Sequence, residues 1–279
     1  MVCLSKQSLP RIDSVKSYVE SIRDAKSSSI AFHYKVFSKR RSGSPEMTLI
    51  ATVWSPEGFA IAADGFEMYT DSGKSNEDVQ KIFSTPFVNE TGFAWAWVGH
   101  VGVEFVSGRR CDLKEITQRV MEGLPANAYL ESPEDYFQRI SLQIFYELPT
   151  DVDLSRLPAV DNVVIFVGYL AGKPLWREIV FPQKGEFFPP TVVEPKHSLR
   201  DFYPFAGSPT IDRQINNDGI LRQPLDLLEA VSSVRAYAEM CVGSREKVKD
   251  CQNFGGTIHI ATVTEKGFDW IIEPKNLKK

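Results

Sequence analysis

The sequence predicts an α+β protein in which two antiparallel sheets pack face to face with helices on their outer sides, a four-layer αββα sandwich. Two observations predict it. Strand-like and helix-like stretches follow one another in blocks (strands, helices, strands, helices, strands), which argues against the singly alternating βαβ units of a parallel sheet. The chain also has 279 residues, 43% of them hydrophobic, enough apolar material for one large core with an appendage.

Taken in order, the elements begin after a break. Residues 38–46 (SKRRSGSPE) mix charge, Gly, Ser and Pro, the composition of a linker. Residues 48–54 (TLIATVW) are β-rich, SPEG supplies a turn, and FAIAA returns as an apolar run ending in Asp64, which predicts a hairpin. Two further strands are expected at 79–83 (VQKIF) and 92–98 (GFAWAWV), making a four-stranded antiparallel opening unit.

The periodicity then changes from 2 to 3.6. A helix is expected over 113–123, and a second where Ser132 caps, Pro133 takes the first turn, Glu134 and Asp135 suit the dipole, and Phe137, Ile140 and Ile144 share a face. Residues 161–169 and 175–181, joined by a Gly-Lys-Pro turn, begin a second antiparallel unit. Ser208-Pro209 starts a short helix, and residues 225–241 form a longer one with Leu228, Val231, Val234 and Cys241 on one stripe. A hairpin over 257–263 and 268–272 closes the chain.

Composition narrows the function classes. No apolar run approaches the roughly 18 residues of a membrane span, and the N-terminus lacks a secretory signal, so a cytoplasmic protein without membrane association is expected. Cys3, Cys111, Cys241 and Cys251 have no zinc-site or redox spacing and read as reduced thiols. Cys3 is no N-terminal nucleophile, since two residues precede it. Residues 1–46 carry a net charge of +5 and the remainder −9. Those basic residues are dispersed apart from Lys39-Arg40-Arg41, so a solvated extension is expected rather than a nucleic-acid-binding arm. The division is therefore a basic extension at 1–46 and a domain at 47–279.

The stretch TLIATVWSPEGFAIAADG (48–65) resembles the opening of proteasome β subunits and their bacterial HslV-type relatives. Lys81 within a V-x-K-I-like strand, Gly99 closing the next strand, Gly207-Ser208 before a helix, and Gly255-Gly256 before the last hairpin extend the resemblance over 48–273. It implies an N-terminal nucleophile (Ntn) hydrolase: Thr48 attacks a peptide or amide bond and forms an acyl-enzyme that water cleaves, with no metal or cofactor. A threonine hydroxyl needs a base, and in this family the base is the threonine's own α-amine, which titrates near neutrality without any histidine.

The resemblance further implies that Lys81 sets a positive charge beside the Thr48 hydroxyl, with Asp64 holding Lys81; alone, the two would read as a hairpin-to-strand ion pair. Gly99 would offer a backbone N–H to the oxyanion, or be a plain turn glycine. Ser208 would hydrogen-bond the Thr48 amine, or serve as a helix cap. Asp250, five residues before Gly255, is a weaker match. Trp97 and Val101 could shape an apolar pocket, although an aromatic in a strand more often packs in the core, and His100 reads as incidental. The sequence departs from the family ahead of the glycine pair, where Asn253 and Phe254 stand instead of the usual Asp and Ser.

An amine inside a peptide bond is no base, so Thr48 must become N-terminal, either by removal of residues 1–47 or by translation from Met47 followed by methionine removal. Met47 in place of the glycine usual before self-cleaved nucleophiles favours the alternative start. Two other functions are consistent with the sequence: a non-catalytic ring subunit and a small-amide Ntn hydrolase. The family implies a homo-oligomeric ring, with an ATPase or cap partner left open.

Overall fold

The computed structural model describes residues 48–68, 75–99, 102–104, 110–124, 132–147, 162–181, 190–194, 203–218 and 223–275. The basic extension, Met47, His100 and Val101 lie outside these residues, as does Asp161. The side chain of Cys111 is likewise not described.

Two five-stranded antiparallel sheets organise the chain. The first contains β1 (Ile50–Ser55), β2 (Gly58–Asp64), β12 (Tyr203–Ala206), β13 (Ile258–Thr264) and β14 (Gly267–Ile272), in the order β12-β1-β2-β13-β14. The second contains β5 (Ile82–Ser84), β6 (Gly92–Val98), β9 (Val163–Leu170), β10 (Lys173–Val180) and β11 (Thr191–Val193), in the order β11-β10-β9-β6-β5. Two ribbons pair β3 (Glu67–Met68) with β4 (Ser75–Asn76), and β7 (Gly102–Glu104) with β8 (Arg110–Asp112). Four α-helices, α1 (Leu113–Glu122), α2 (Pro133–Glu147), α3 (Pro209–Asp218) and α4 (Leu227–Gly243), and a single 3-10 turn at Lys249–Cys251 complete the described elements.

Strand alternation sorts the apolar side chains into three clusters, because successive residues point to opposite faces of a sheet. Phe93, Trp95 and Trp97 of β6 join Val164 and Phe166 of β9 against Ile116 and Val120 of α1 and Phe137, Ile140 and Ile144 of α2. Ala51 and Val53 of β1 join Ala60 and Ala62 of β2 against Ile211 of α3 and Val234, Tyr237 and Ala238 of α4. The intervening residues Ile50, Phe59, Ile61 and Ala63 meet Ala94, Ala96, Ile165 and Val167, so the two sheets share a third cluster.

The opening four strands do not form one unit. β1 and β2 belong to the first sheet, whereas β5 and β6 pair into the second, and the last hairpin returns to lie beside β2. Local sequence gives each strand its pattern; partner choice is a long-range matter. The strand expected over 79–83 begins only at Ile82. The β9–β10 turn is Ala171-Gly172, not Gly-Lys-Pro, since a two-residue hairpin turn wants positive φ at both positions and these two have φ of 49° and 71°.

Helix ends follow their sequence signals. Ser132 Oγ accepts from Asp135 N at 3.1 Å, and Asp226 caps α4 by accepting from Glu229 N at 2.8 Å. The buried stripe of α4 is Ala230, Val231, Val234, Tyr237, Ala238 and Cys241. Leu228, expected on it, is 74% exposed: at 100° per residue it lies on the far side from Tyr237 and Val234. Trp97 is buried against Phe181, with ring centroids 4.9 Å apart, in the cluster beneath α1 and α2. It is therefore a core residue and does not line an apolar specificity pocket.

Candidate active site

Asp64 ends β2 and is completely buried. Its Oδ1 accepts from Lys81 Nζ at 2.8 Å and from Leu49 N at 2.9 Å, and its Oδ2 accepts from Gly255 N at 3.2 Å. Asp64 N in turn donates to Leu49 O at 3.3 Å. The residue following Thr48 is thus clasped at both backbone polar groups by one aspartate. Burial pushes the Asp64 carboxyl up, while the Lys81 ammonium and the Leu49 and Gly255 amides oppose that push. Donors occupy both oxygens, so the carboxylate is the form this geometry accommodates.

Lys81 precedes β5, and its side chain is only 10% exposed. Besides Asp64, the ammonium donates to Phe66 O at 2.6 Å. A lysine charge with a carboxylate and a carbonyl as fixed acceptors is a stationary positive centre at the junction of the two sheets. It acts through electrostatics on whatever oxygen lies next to it.

Thr48 is half-buried and stands just ahead of β1. β1 pairs with β2 through Ile50↔Ala63 and with β12 through Ile50↔Ala206. Both ladders end at Ile50, and the one to β12 has an irregular register between Ile50 and Ala51, so Thr48 lies two residues beyond the last paired position. Gly99 closes β6 with φ of 104°, a left-handed conformation that glycine adopts without strain. It lies at the same end of the second sheet as Lys81, since Ile82 pairs with Ala96.

Ser208 and Asp250 form a second group. Ser208 is completely buried, and its Oγ accepts from Ile211 N at 3.2 Å, capping α3. Its own N–H donates to the Tyr237 hydroxyl at 3.2 Å, and that hydroxyl donates to Asp212 Oδ1 at 2.6 Å. Asp250 Oδ2 accepts from Thr210 N at 3.0 Å. Burial raises the Asp250 carboxyl, but hydrogen bonds from Thr210 and from the Ser208 hydroxyl outweigh it and leave the group below its ordinary value. Cys241 and Cys251 are buried free thiols beneath this group, and burial pushes Cys241 up to about 12. Both are therefore protonated packing residues near neutrality.

The structure thus gathers Asp64, Lys81 and the backbone beside Thr48 into one hydrogen-bonded group, and Ser208 with Asp250 into another. Three contributors escaped the sequence reading: the Leu49 amide, the Phe66 carbonyl and the Gly255 amide. Backbone groups carry no residue-type signature, although the glycine pair at 255–256 marked the place where one of them comes close. Phe254, which precedes that pair, is fully buried in the helix-side cluster of the first sheet. Among the described residues no set of three or more His, Cys, Asp or Glu is placed to hold a metal ion, and no helix is long and apolar enough to cross a membrane.

No family model matches the sequence, and no curated protein does. Among solved structures, the chain is similar to an Anbu (Gly-1) mutant from Hyphomicrobium sp. strain MC1, with 13% identity and a TM-score of 0.49. The match covers 82% of this chain and 89% of that one. A likeness this distant brings no residue roles with it.

Proposed function

We propose that the chain is a threonine-type Ntn hydrolase with a four-layer αββα sandwich fold, acting on a peptide or amide bond once Thr48 is the N-terminal residue. The observation that carries this reading is the buried Asp64 carboxylate, which holds the Lys81 ammonium and the backbone of Leu49 at the same time. One residue thereby ties the position of a candidate nucleophile to the position of the charge that would activate it. The three apolar clusters, two between a sheet and helices and one between the sheets, support the layering.

In the proposed reaction, the free Thr48 amine takes the hydroxyl proton as the oxygen attacks the scissile carbonyl. The Lys81 charge favours the developing alkoxide, and the proton passes to the leaving amine. Water, deprotonated by the same amine, then cleaves the ester. Gly99 N–H is the proposed oxyanion donor, and Ser208, which follows β12, the proposed partner of the amine, with Asp250 orienting the Ser208 hydroxyl. Residues 1–47 are proposed to be absent from the active form, by translation from Met47 and loss of that methionine. A homo-oligomeric ring is proposed as the working state.

A second reading, a non-catalytic ring subunit, is favoured by one observation: Phe254, fully buried in the helix-side cluster, stands immediately before Gly255 in place of the serine usual there in the family. Covalent labelling separates the two. Protein prepared to begin at Thr48 and treated with an electrophilic threonine-protease inhibitor is expected to gain one adduct at Thr48 by intact mass, and Thr48→Ala none. An unmodified wild-type protein would move the assignment to the structural role. Intact mass of protein expressed from the native gene tests the proposed start, and a dominant full-length species would overturn it.

A further inference from the structure

The segment that delivers Lys81 is not held by its own sheet. β5 is an edge strand, and its ladder to β6 runs only from Ile82↔Ala96 to Ser84↔Ala94, so residues 77–81 lie ahead of it. They are fastened to the first sheet instead. Thr257 N donates to Glu77 O at 2.7 Å, and Val79 N donates to Gly65 O at 2.8 Å. His259 Nε2 lies 3.0 Å from Asp78 Oδ1, and Lys275 N donates to Asp78 Oδ2 at 2.8 Å.

Two glycines make this approach possible. A Cβ at Gly256, whose φ is 73°, would overlap Glu77 O, and one at Gly65 would come 2.9 Å from the same oxygen and 3.1 Å from His259 Cε1. His259 sits on β13 opposite Ala63 and is completely buried. Its Nδ1 has no hydrogen-bond partner among the described residues. A proton on Nδ1 would be a buried unsatisfied donor, so the ring carries its proton on Nε2 and donates to Asp78. Burial pushes the Asp78 carboxyl up, but hydrogen bonds from His259, Lys275 N and Thr257 outweigh that and keep it below the usual carboxylate range. The acceptor is thus a carboxylate, the stronger partner.

We propose that Asp78 and His259 form a latch that positions Lys81, by pinning the lead-in of β5 to β13 so that the lysine stem starts from a fixed point. A lysine is a point charge on a flexible four-carbon stem, and the Asp64 contact alone does not fix the backbone that carries it. Neither latch residue touches substrate; both act through Lys81. The catalytic consequence rests on the threonine-hydrolase reading above, whereas the latch itself does not.

The test uses protein beginning at Thr48, as wild type, His259→Leu, His259→Gln, Asp78→Asn and Asp78→Ala, with two readouts. The first is acetylation of Lys81 by acetic anhydride, followed by peptide mass spectrometry. Protection is expected in wild type and several-fold faster modification in His259→Leu and Asp78→Ala. The second is acylation of Thr48 by an electrophilic inhibitor. Its maximal rate is expected to fall roughly ten- to a hundredfold in those variants, the cost of an ångström-scale misplacement, while the half-saturating concentration stays within about twofold.

Gln can present an N–H where His259 presents Nε2, so His259→Gln is expected to recover most of both losses. Unchanged Lys81 protection overturns the proposal, as does an equal loss in His259→Gln and His259→Leu. If His259→Leu does not fold, the comparison of Asp78→Asn with Asp78→Ala carries the test, because Asp78 lies nearer the surface. If wild type fails to acylate at Thr48, the hydrolase reading falls, and the acetylation readout alone decides the latch.

Discussion

The two flanks of the leading end of β1 are built from different physics. On the β2 side, Asp64, Lys81 and three backbone groups form a buried ionic cluster. On the β12 side, Ser208 is held by a helix cap and a tyrosine hydroxyl, with two thiols beneath it. Neither charge of the first flank can be replaced alone, because each compensates the burial of the other. The second resembles ordinary helix-end chemistry, and its members could be exchanged singly. An ionic cluster of that kind is a poor source of stability but a firm way to fix a charge in place.

The largest effect that would test this contrast is on the ionic flank. Asp64→Ala is expected to lower stability by about 3–5 kcal/mol, because it strands the Lys81 ammonium in a nearly closed site. Urea unfolding at neutral pH measures it. The double variant Asp64→Leu/Lys81→Met is expected to regain much of that loss while remaining unable to acylate at position 48. A double variant as unstable as the single one would mean that the backbone contacts, not the charges, dominate.

Ser208→Ala is expected to cost about 1 kcal/mol, the usual worth of a lost N-cap. Its effect on Thr48 acylation sharpens the comparison: a rate loss beyond what stability explains would assign the hydroxyl to the amine as well as to the cap. Asp250 adds an acid limb on the same flank. Its folded carboxyl lies below its ordinary value, so its contribution is complete above about pH 3.9 and is lost as the pH falls through the lowered folded value. Wild type is therefore expected to lose more stability than Asp250→Asn between about pH 6 and about pH 2.5 in parallel urea titrations. Equal losses would mean that the Thr210 contacts contribute nothing in solution. The smallest effect belongs to the exposed face of α4, where Leu228→Lys is expected to stay within about 0.5 kcal/mol of wild type by thermal unfolding.

Much of the strand content was legible from period-2 patterns bounded by Gly and Pro: 48–54 and 59–63 became β1 and β2, and the Gly92–Val98 strand kept both its bounds. Two helix starts were equally clear, since Ser132 and Ser208 are residues whose side chains cap, whereas the helix expected from residue 225 begins at Leu227 behind an Asp226 cap that was not read. β3, β4, β7, β8, β11 and β12 were missed, each being four residues or fewer and too short to show a period. Leu228 was misplaced because a hydrophobic residue near a helix start can satisfy a loosely drawn stripe without facing the core.

By itself the sequence determined the local geometry: which segments extend, where helices begin, and that a threonine, an aspartate and a lysine stand near the starts or ends of strands. Those properties depend on side-chain shape and on hydrogen bonds within a few residues. Only the tertiary structure decided that the opening strands divide between two sheets, that the expected Asp64–Lys81 pair spans that division, and that residues 77–81 are fastened to the first sheet by His259, Thr257 and Gly65. Strand partnership is set by which apolar faces can be buried together over the whole chain, a sum that no local window contains.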